Sequence, residues 1–131
     1  MNTKLNQILA EISAGELLDK ITILEIKKEK IKDKEKLQDI NKELKSLSTT
    51  SKEKIPDKSK VKEYILNLKK INLRLWDIEE GKRLAEKNKK FDDNFIKLSR
   101  DVYKTNDERA KLKLKINEIL GSNIKEVKSH Y

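Results

Sequence analysis

The chain lacks cysteine and is poor in proline, glycine and aromatic residues. Without cysteine it can form neither a disulfide scaffold nor a thiolate metal site. One proline and three glycines are too few for the repeated tight turns of a β-sandwich or barrel. No stretch approaches the roughly 20 apolar residues of a membrane span, and no apolar run follows Met1 as a signal peptide requires. These absences predict a helical, cytoplasmic protein with no membrane partner.

Charged residues are abundant instead. Of 131 residues, 42% are charged and 35% hydrophobic, a composition typical of long helices and coiled coils. The 32 Lys and Arg against 23 Asp and Glu leave a net charge of +9. The length matches one domain of ordinary size. We therefore expect a single basic, helical domain spanning residues 1–131.

The first predicted helix spans residues 14–48. Ser13 and Glu16 have the spacing of a capping box, which marks a helix N-terminus. No proline follows until Pro56, and the polar residues 48–51 are expected to end the helix.

Two more helices are predicted, over residues 58–88 and 92–120, and Gly121 is expected to end the last one in a left-handed conformation. Short connections favour an antiparallel, up-down-up arrangement. The predicted fold is thus an all-α, long-helix three-helix bundle, with short extended segments allowed at both termini.

The predicted helices carry apolar residues on more than one face. In the first helix, one face has Leu17, Leu18, Ile21 and Leu24, and the opposite face has Ile23, Ile26, Leu37, Ile40 and Leu44. The third helix has a second stripe of Ile96, Tyr103, Ala110 and Leu114, and the second helix contributes Leu66, Leu73 and Leu84 behind its own stripe. Because a monomeric bundle needs one stripe per helix, the extra stripes predict a partner, most simply a second copy in a twofold homodimer. The alternative is isolated surface leucines, which are common.

Three charged residues interrupt the main apolar stripes: Glu25, Glu79 and Arg109. All three fall in the same half of the expected bundle. We predict a polar cluster of these residues, edged by Asn106 and Lys113, with Asp19, Lys20 and Thr22 of the first helix nearby.

Three interpretations of this cluster stay open. It is a buried ion-pair network that fixes helix register, a ligand-binding or catalytic pocket between helices, or a set of long side chains that reach solvent.

Other chemistry has little support in the sequence. His130 is the only histidine, and with no cysteine it provides neither a nucleophilic triad nor an ordinary zinc site. No phosphate-binding glycine loop occurs. We therefore predict no cofactor and no metal, and expect His130 to be a solvated tail residue.

The net positive charge, taken alone, suggests nucleic acid as a binding partner. However, only four arginines occur, and the lysines of residues 27–36 and 82–90 alternate with acidic residues. That pattern is typical of a solvated helix face, so nucleic acid is the least favoured partner.

Three strings of the sequence look familiar together. They are EISAGELLDKITILEIK at residues 11–27, LWDIEE at residues 75–80, and YKTNDERA at residues 103–110, the last followed by KIN and GS at residues 115–117 and 121–122. They resemble a family of small bacterial and phage helical proteins of unknown function, over about residues 8–129. The resemblance implies no activity or cofactor, but it implies that residues 125–129 belong to the domain. It also draws attention to matched polar residues: Asp19, Lys20, Glu25, Glu79, Asn106, Asp107 and Arg109.

The leading functional hypothesis is a non-enzymatic structural or protein-interaction module that self-associates. The alternative is a small-molecule-binding protein or enzyme whose inter-helix pocket surrounds Arg109. A second alternative is a basic accessory protein for nucleic acid.

Overall fold

The computed structural model describes residues 4–128, and this part of the chain is all-helical, with no strand. Its elements are α1 (Ala14–Lys30), α2 (Lys34–Lys54), a 3₁₀ turn (Ser59–Val61), α3 (Lys62–Lys87) and α4 (Asp93–Leu120). The all-α class is confirmed. The predicted three-helix bundle is not, because these residues form four α-helices.

The predicted first helix breaks after Lys30. Ile31 takes an extended conformation, and Asp33 caps a new helix by accepting hydrogen bonds from the backbone N–H groups of Glu35 and Lys36. An aspartate at such a position competes with helix continuation, because its carboxylate satisfies backbone donors that a helix start leaves unpaired. The result is two helices where the prediction had one.

The second of these helices continues through the polar residues that were expected to end it. The hydroxyls of Thr49 and Thr50 donate to the carbonyls of Lys45 and Ser46, one turn back. These hydrogen bonds let hydroxyl side chains remain inside a helix. Ser51 is buried, and α2 therefore extends to Lys54.

Among the described helices, α1 contacts all three others, α3 and α4 form a hairpin, and α2 contacts α1 alone. The break after Lys30 folds α2 back over α1, and this buries Ile40 to 8% exposure. On the second apolar face of α1, Ile26 is buried, whereas Ile23 is half-buried and lines an open groove.

The apolar core lies where the start of α1, the end of α2 and the adjoining parts of α3 and α4 meet. Its buried members are Leu17, Leu18, Ile55, Val61, Leu68 and Ile116. Because these residues come from α1, the link between α2 and α3, α3 and α4, the core joins the two helical hairpins.

Some apolar side chains lie outside this core. The nonhelical residues before α1 expose Leu5, Ile8 and Leu9, and α4 exposes its second stripe. None of the described helices is long and apolar enough to cross a membrane. His130 lies outside the described residues.

Candidate functional site

A carboxylate with no solvent exposure lies at the junction of α1, α3 and α4. The carboxylate of Asp19, on α1, accepts a hydrogen bond from the Asn72 side chain of α3 at 2.8 Å. Arg109 of α4 donates to both oxygens through Nε, at 3.0 and 3.2 Å, and to Oδ2 through Nη2. A bidentate guanidinium is the pairing that best offsets the burial of a carboxylate. One buried charge thus connects three helices.

Thr22, one turn after Asp19, extends this network. Its hydroxyl donates to the backbone carbonyl of Asp19 at 2.7 Å and accepts from the Asn72 amide at 2.8 Å. Both protons of that amide therefore have acceptors on α1. The arrangement fixes the register of α1 against α3, because a shift of either helix would leave buried polar groups unpaired.

Lys113, one turn beyond Arg109, lies among three carboxylates. Its Nζ binds Glu16, lies 3.3 Å from Glu126 of the C-terminal tail, and lies 3.9 Å from Asp19. The tail is held a second time where the Ser13 hydroxyl donates to Glu126 at 3.1 Å. The polar network therefore reaches from the inter-helix junction to the tail.

These contacts shift three pKa values. Burial alone would raise the pKa of Glu16, but the hydrogen bond and charge of Lys113 outweigh it and lower that pKa. Burial alone would lower the pKa of Lys113, but its carboxylate neighbours raise it. The hydrogen bonds with Asp19 raise the pKa of Arg109 despite its partial burial. All three shifts favour the charged, paired state of the network.

The start of α1 approaches α4 closely. The Gly15 N–H donates to the Asn117 side-chain oxygen at 2.6 Å, and the Ala14 N–H donates to the Ser122 hydroxyl at 3.1 Å. A Cβ on Gly15 would lie 2.5 Å from the backbone carbonyl oxygen of Lys113. Only glycine permits this approach, so residue 15 sets the distance between the two helices.

A groove with a volume of about 530 Å³ opens beside Arg109. Apolar side chains of α1 and α3 contribute to it, together with charged ones; the lining residues are Ile23, Ile26, Asn72, Leu75, Trp76, Glu79, Glu80, Arg83 and Arg109. The size is within the range of small-molecule sites. Its polar groups include Arg109, whose guanidinium is already paired with Asp19.

Several predicted site residues do come together. Asp19, Arg109 and Lys113 form the network, and Asn106 accepts from Arg109 Nη1 at 3.4 Å. Glu79 shares the groove with Arg109.

The other predicted residues lie elsewhere. Lys20 is exposed and lies 3.5 Å from Glu16, while Asp107 pairs with Lys128 of the tail. Glu25 is half-buried and is not among the hydrogen-bond partners of Arg109, so the expected Glu25–Arg109 contact is wrong. The reason is helical geometry: six residues separate Asp19 from Glu25, which places them on different sides of α1.

Three contributors were not predicted: Glu16 as a partner of Lys113, Asn72 and Asn117. Asn72 offered a signal, because it interrupts an apolar stripe four residues after Leu68. An amide in such a position needs buried partners. The other two offered no comparable pattern.

Both oxygens of the carboxylate at the centre of the network already accept hydrogen bonds. The Asp19 carboxylate is fully buried and accepts from two side chains, so it is a poor general base. In the part of the chain that the structure describes, no group of three His, Cys, Asp or Glu side chains could hold a metal ion. The arrangement is suited to holding helices together.

Comparison with known proteins adds one finding. None of the curated proteins and none of the solved structures matches the chain. The sequence does match a protein family over residues 8–131, including the tail that carries Glu126 and Lys128. The chain belongs to DUF6165, a family of unknown function.

Proposed function

We propose that this protein is a non-enzymatic interaction module that self-associates through the outer face of α4. One observation carries the proposal: Ile96, Tyr103 and Leu114 are 54%, 54% and 41% exposed. These large side chains lie within about 20° of one another around the helix, at about 100° of rotation per residue. Arg100 and Asp107 lie between them on the same face, so the surface combines exposed apolar side chains with charged ones. The alignment of several large apolar side chains on one exposed face favours a binding surface over isolated surface residues.

The polar network supports this proposal from the opposite side of the same helix. Arg109 and Lys113 hold α4 against α1, so the outer face is presented on a fixed scaffold. Because the helix is already ordered, binding a partner through this face costs less conformational entropy than binding through a flexible segment.

Light scattering coupled to size-exclusion chromatography of the full chain tests the proposal. We expect a mass twice the 15.4 kDa of one chain. Ile96→Asp and Leu114→Asp should each give a monomer, because a carboxylate cannot be buried unpaired in the interface.

Leu66→Asp is the matched control, since Leu66 is also exposed but lies on α3. It should leave the dimer intact. A wild-type chain that stays monomeric up to about millimolar concentration contradicts self-association, because specific affinities weaker than this are negligible.

The second candidate function is small-molecule binding in the groove beside Arg109. The observation that favours it is a volume of about 530 Å³ that combines apolar walls with Arg83 and Arg109. The dye 1-anilinonaphthalene-8-sulfonate is a suitable probe, because it joins an aromatic body to an anion. Trp76 lines the groove and is the only tryptophan, so dye binding there should quench its fluorescence.

Arg83→Met should weaken that quenching, whereas Arg100→Met, on α4 outside the groove, should not. Equal quenching in both variants would count against a groove site.

A further inference from the structure

We infer that two copies of this chain pair their α4 helices in antiparallel orientation, with the twofold axis near residue 105, so that Ile96 lies against the partner's Leu114. This inference rests on the proposed self-association and specifies its geometry. It follows from the arrangement of apolar and charged side chains along the exposed face.

The outer face of α4 consists of two columns with a spacing of seven residues. One column is Ile96, Tyr103 and Ala110, and the other is Arg100, Asp107 and Leu114. At about 100° per residue, the six positions fall within about 80° of the helix circumference. A seven-residue repeat of two adjacent columns is the seam of a two-helix coiled coil.

A parallel pairing of this seam is unfavourable. It would place Arg100 beside the partner's Arg100 and Asp107 beside the partner's Asp107. Like charges at close range in an interface repel, and they lose hydration as well. The repeat therefore disfavours two helices that run in the same direction.

An antiparallel pairing is complementary. Ile96 meets the partner's Leu114 at each end of the seam, and these two positions lie about 27 Å apart along one helix. In the middle, the Tyr103 hydroxyl faces the partner's Asp107 and can donate to its carboxylate. Both ends of the interface are then apolar, and its centre is polar and paired.

The remaining pair is Arg100 with the partner's Ala110. The small side chain at residue 110 borders a cavity that Val127 and Lys128 of the tail also line, and this space lets the arginine stem lie across the seam. The guanidinium then comes within reach of the partner's Asp107, which is offset by three residues, or about 4.5 Å. The short residue and the two charges thus match one another only when the helices run in opposite directions.

The C-terminal tail adds to the same surface. Ala110, Leu114 and Val127 share a cavity of about 200 Å³, and Val127 is 90% exposed. Asp107 already holds the tail through Lys128. The apolar seam therefore continues onto the tail at the end where Leu114 lies.

Disulfide trapping tests the register, since the native chain contains no cysteine. Ile96→Cys and Leu114→Cys are prepared as separate full-length variants, mixed, and oxidised mildly with oxidised glutathione. We expect a covalent dimer in the mixture on a non-reducing gel. Neither variant alone should form one, because equivalent positions lie at opposite ends of an antiparallel pair.

Gln38→Cys, on the exposed surface of α2, measures random collision and should not cross-link with either variant. Covalent dimers of each single variant, with no gain on mixing, would indicate parallel helices and overturn the inference.

A charge reversal provides an independent check. Arg100→Asp and Asp107→Arg should each weaken dimerisation about tenfold, and the double variant should restore most of the affinity. If the wild-type chain is a dimer but the mixed variants do not cross-link and the double variant does not regain affinity, the proposed register is wrong. Self-association itself would still be supported. A monomeric wild-type chain overturns both.

Discussion

The two faces of α4 differ in how their side chains are partnered. The inner face buries Thr105 and the core residue Ile116, and it pairs Arg109 with a fully buried carboxylate. The outer face leaves Ile96 and Tyr103 more than half exposed. Amphipathic helices normally place apolar residues inward and charges outward. In α4 a specific polar pair adds to the apolar contact in positioning the helix, while large apolar side chains on the outer face remain available for association.

The largest expected effect comes from removing the buried charge at the centre of the inner face. Asp19→Ala removes the carboxylate that accepts from Arg109 and from one proton of the Asn72 amide, and a broken buried pair costs about 3 kcal/mol or more. Urea denaturation followed by circular dichroism measures the loss.

Asp39→Ala is the control, because Asp39 is an exposed aspartate inside α2. Its unfolding free energy should change by less than about 0.5 kcal/mol. Similar losses in the two variants would mean that the network contributes nothing specific.

The second largest effect concerns the distance between α1 and α4. In Gly15→Ala the new methyl group meets a backbone carbonyl oxygen at 2.5 Å, and the helices must separate. Such overpacking costs about 1–3 kcal/mol. In Gly81→Ala the nearest atom is a Leu98 methyl at 3.1 Å, which belongs to a rotatable side chain.

The alanine at residue 81 also gains helix propensity, so this variant should be neutral or more stable than the native chain. Thermal unfolding of both variants gives the comparison. A Gly15→Ala protein as stable as Gly81→Ala would contradict the close helix approach.

Loss of the Glu16–Lys113 ion pair should lower the free energy of unfolding by a smaller amount than the two changes above, and this amount should depend on pH. The pKa of Glu16 is lowered in the folded state from its ordinary 4.5, so its contribution is present above that pH and is lost as the pH falls through the folded pKa. The pKa of Lys113 is raised above 10.5, so its contribution is present below that pH and is lost as the pH rises through the folded pKa. Glu16→Gln should cost about 1–2 kcal/mol at neutral pH and much less near pH 2.

Glu35→Gln provides the matched control, because Glu35 also lies in the first turn of a helix but is exposed. Its stability curve should follow that of the native chain closely. If Glu16→Gln were equally destabilising at acid and neutral pH, the charged pair would not be the cause.

The smallest change in the free energy of unfolding is expected for an ion pair that belongs to neither of the two compared faces of α4. Arg74 and Glu108 lie 3.3 Å apart, and both side chains are more than half exposed. Water screens such pairs, so Glu108→Gln should change the unfolding free energy by less than about 0.5 kcal/mol. If Glu108→Gln lowered the free energy of unfolding as much as Asp19→Ala, buried and exposed ion pairs would not differ in their contribution to stability.

Local features of the fold were predictable. Ser13 does cap α1 by accepting from the Glu16 N–H at 3.1 Å, and Gly121 does end α4 with a φ of 65°. The other half of the predicted capping box is replaced, because the Glu16 carboxylate pairs with Lys113 and Lys20. Caps depend on neighbours within one turn, whereas the target of a charged side chain depends on distant helices.

The break between α1 and α2 was harder to predict from the sequence. Asp33 was the available signal, but it stands in a run of helix-forming residues without proline or glycine. The packing of α2 on α1 and the burial of Ile40 exist only after the chain has folded back.

For the site, the sequence identified Arg109, Lys113 and Asn106 but assigned Arg109 to Glu25 instead of Asp19. The choice between two acidic residues on one helix depends on how that helix is rotated. Rotation is set by the whole core, including Leu17, Leu18 and Ile116.

The helical class and the helix caps follow from the sequence alone, because they depend on hydrogen bonds and periodicity within a few residues, and the surplus of positive charge follows from composition. Which carboxylate meets Arg109, and which apolar face is covered or exposed, depends on how the helices pack. Those outcomes depend on contacts across long separations, such as the 90 residues between Asp19 and Arg109 and the 113 between Ser13 and Glu126. Such contacts form together, so no local segment specifies them alone.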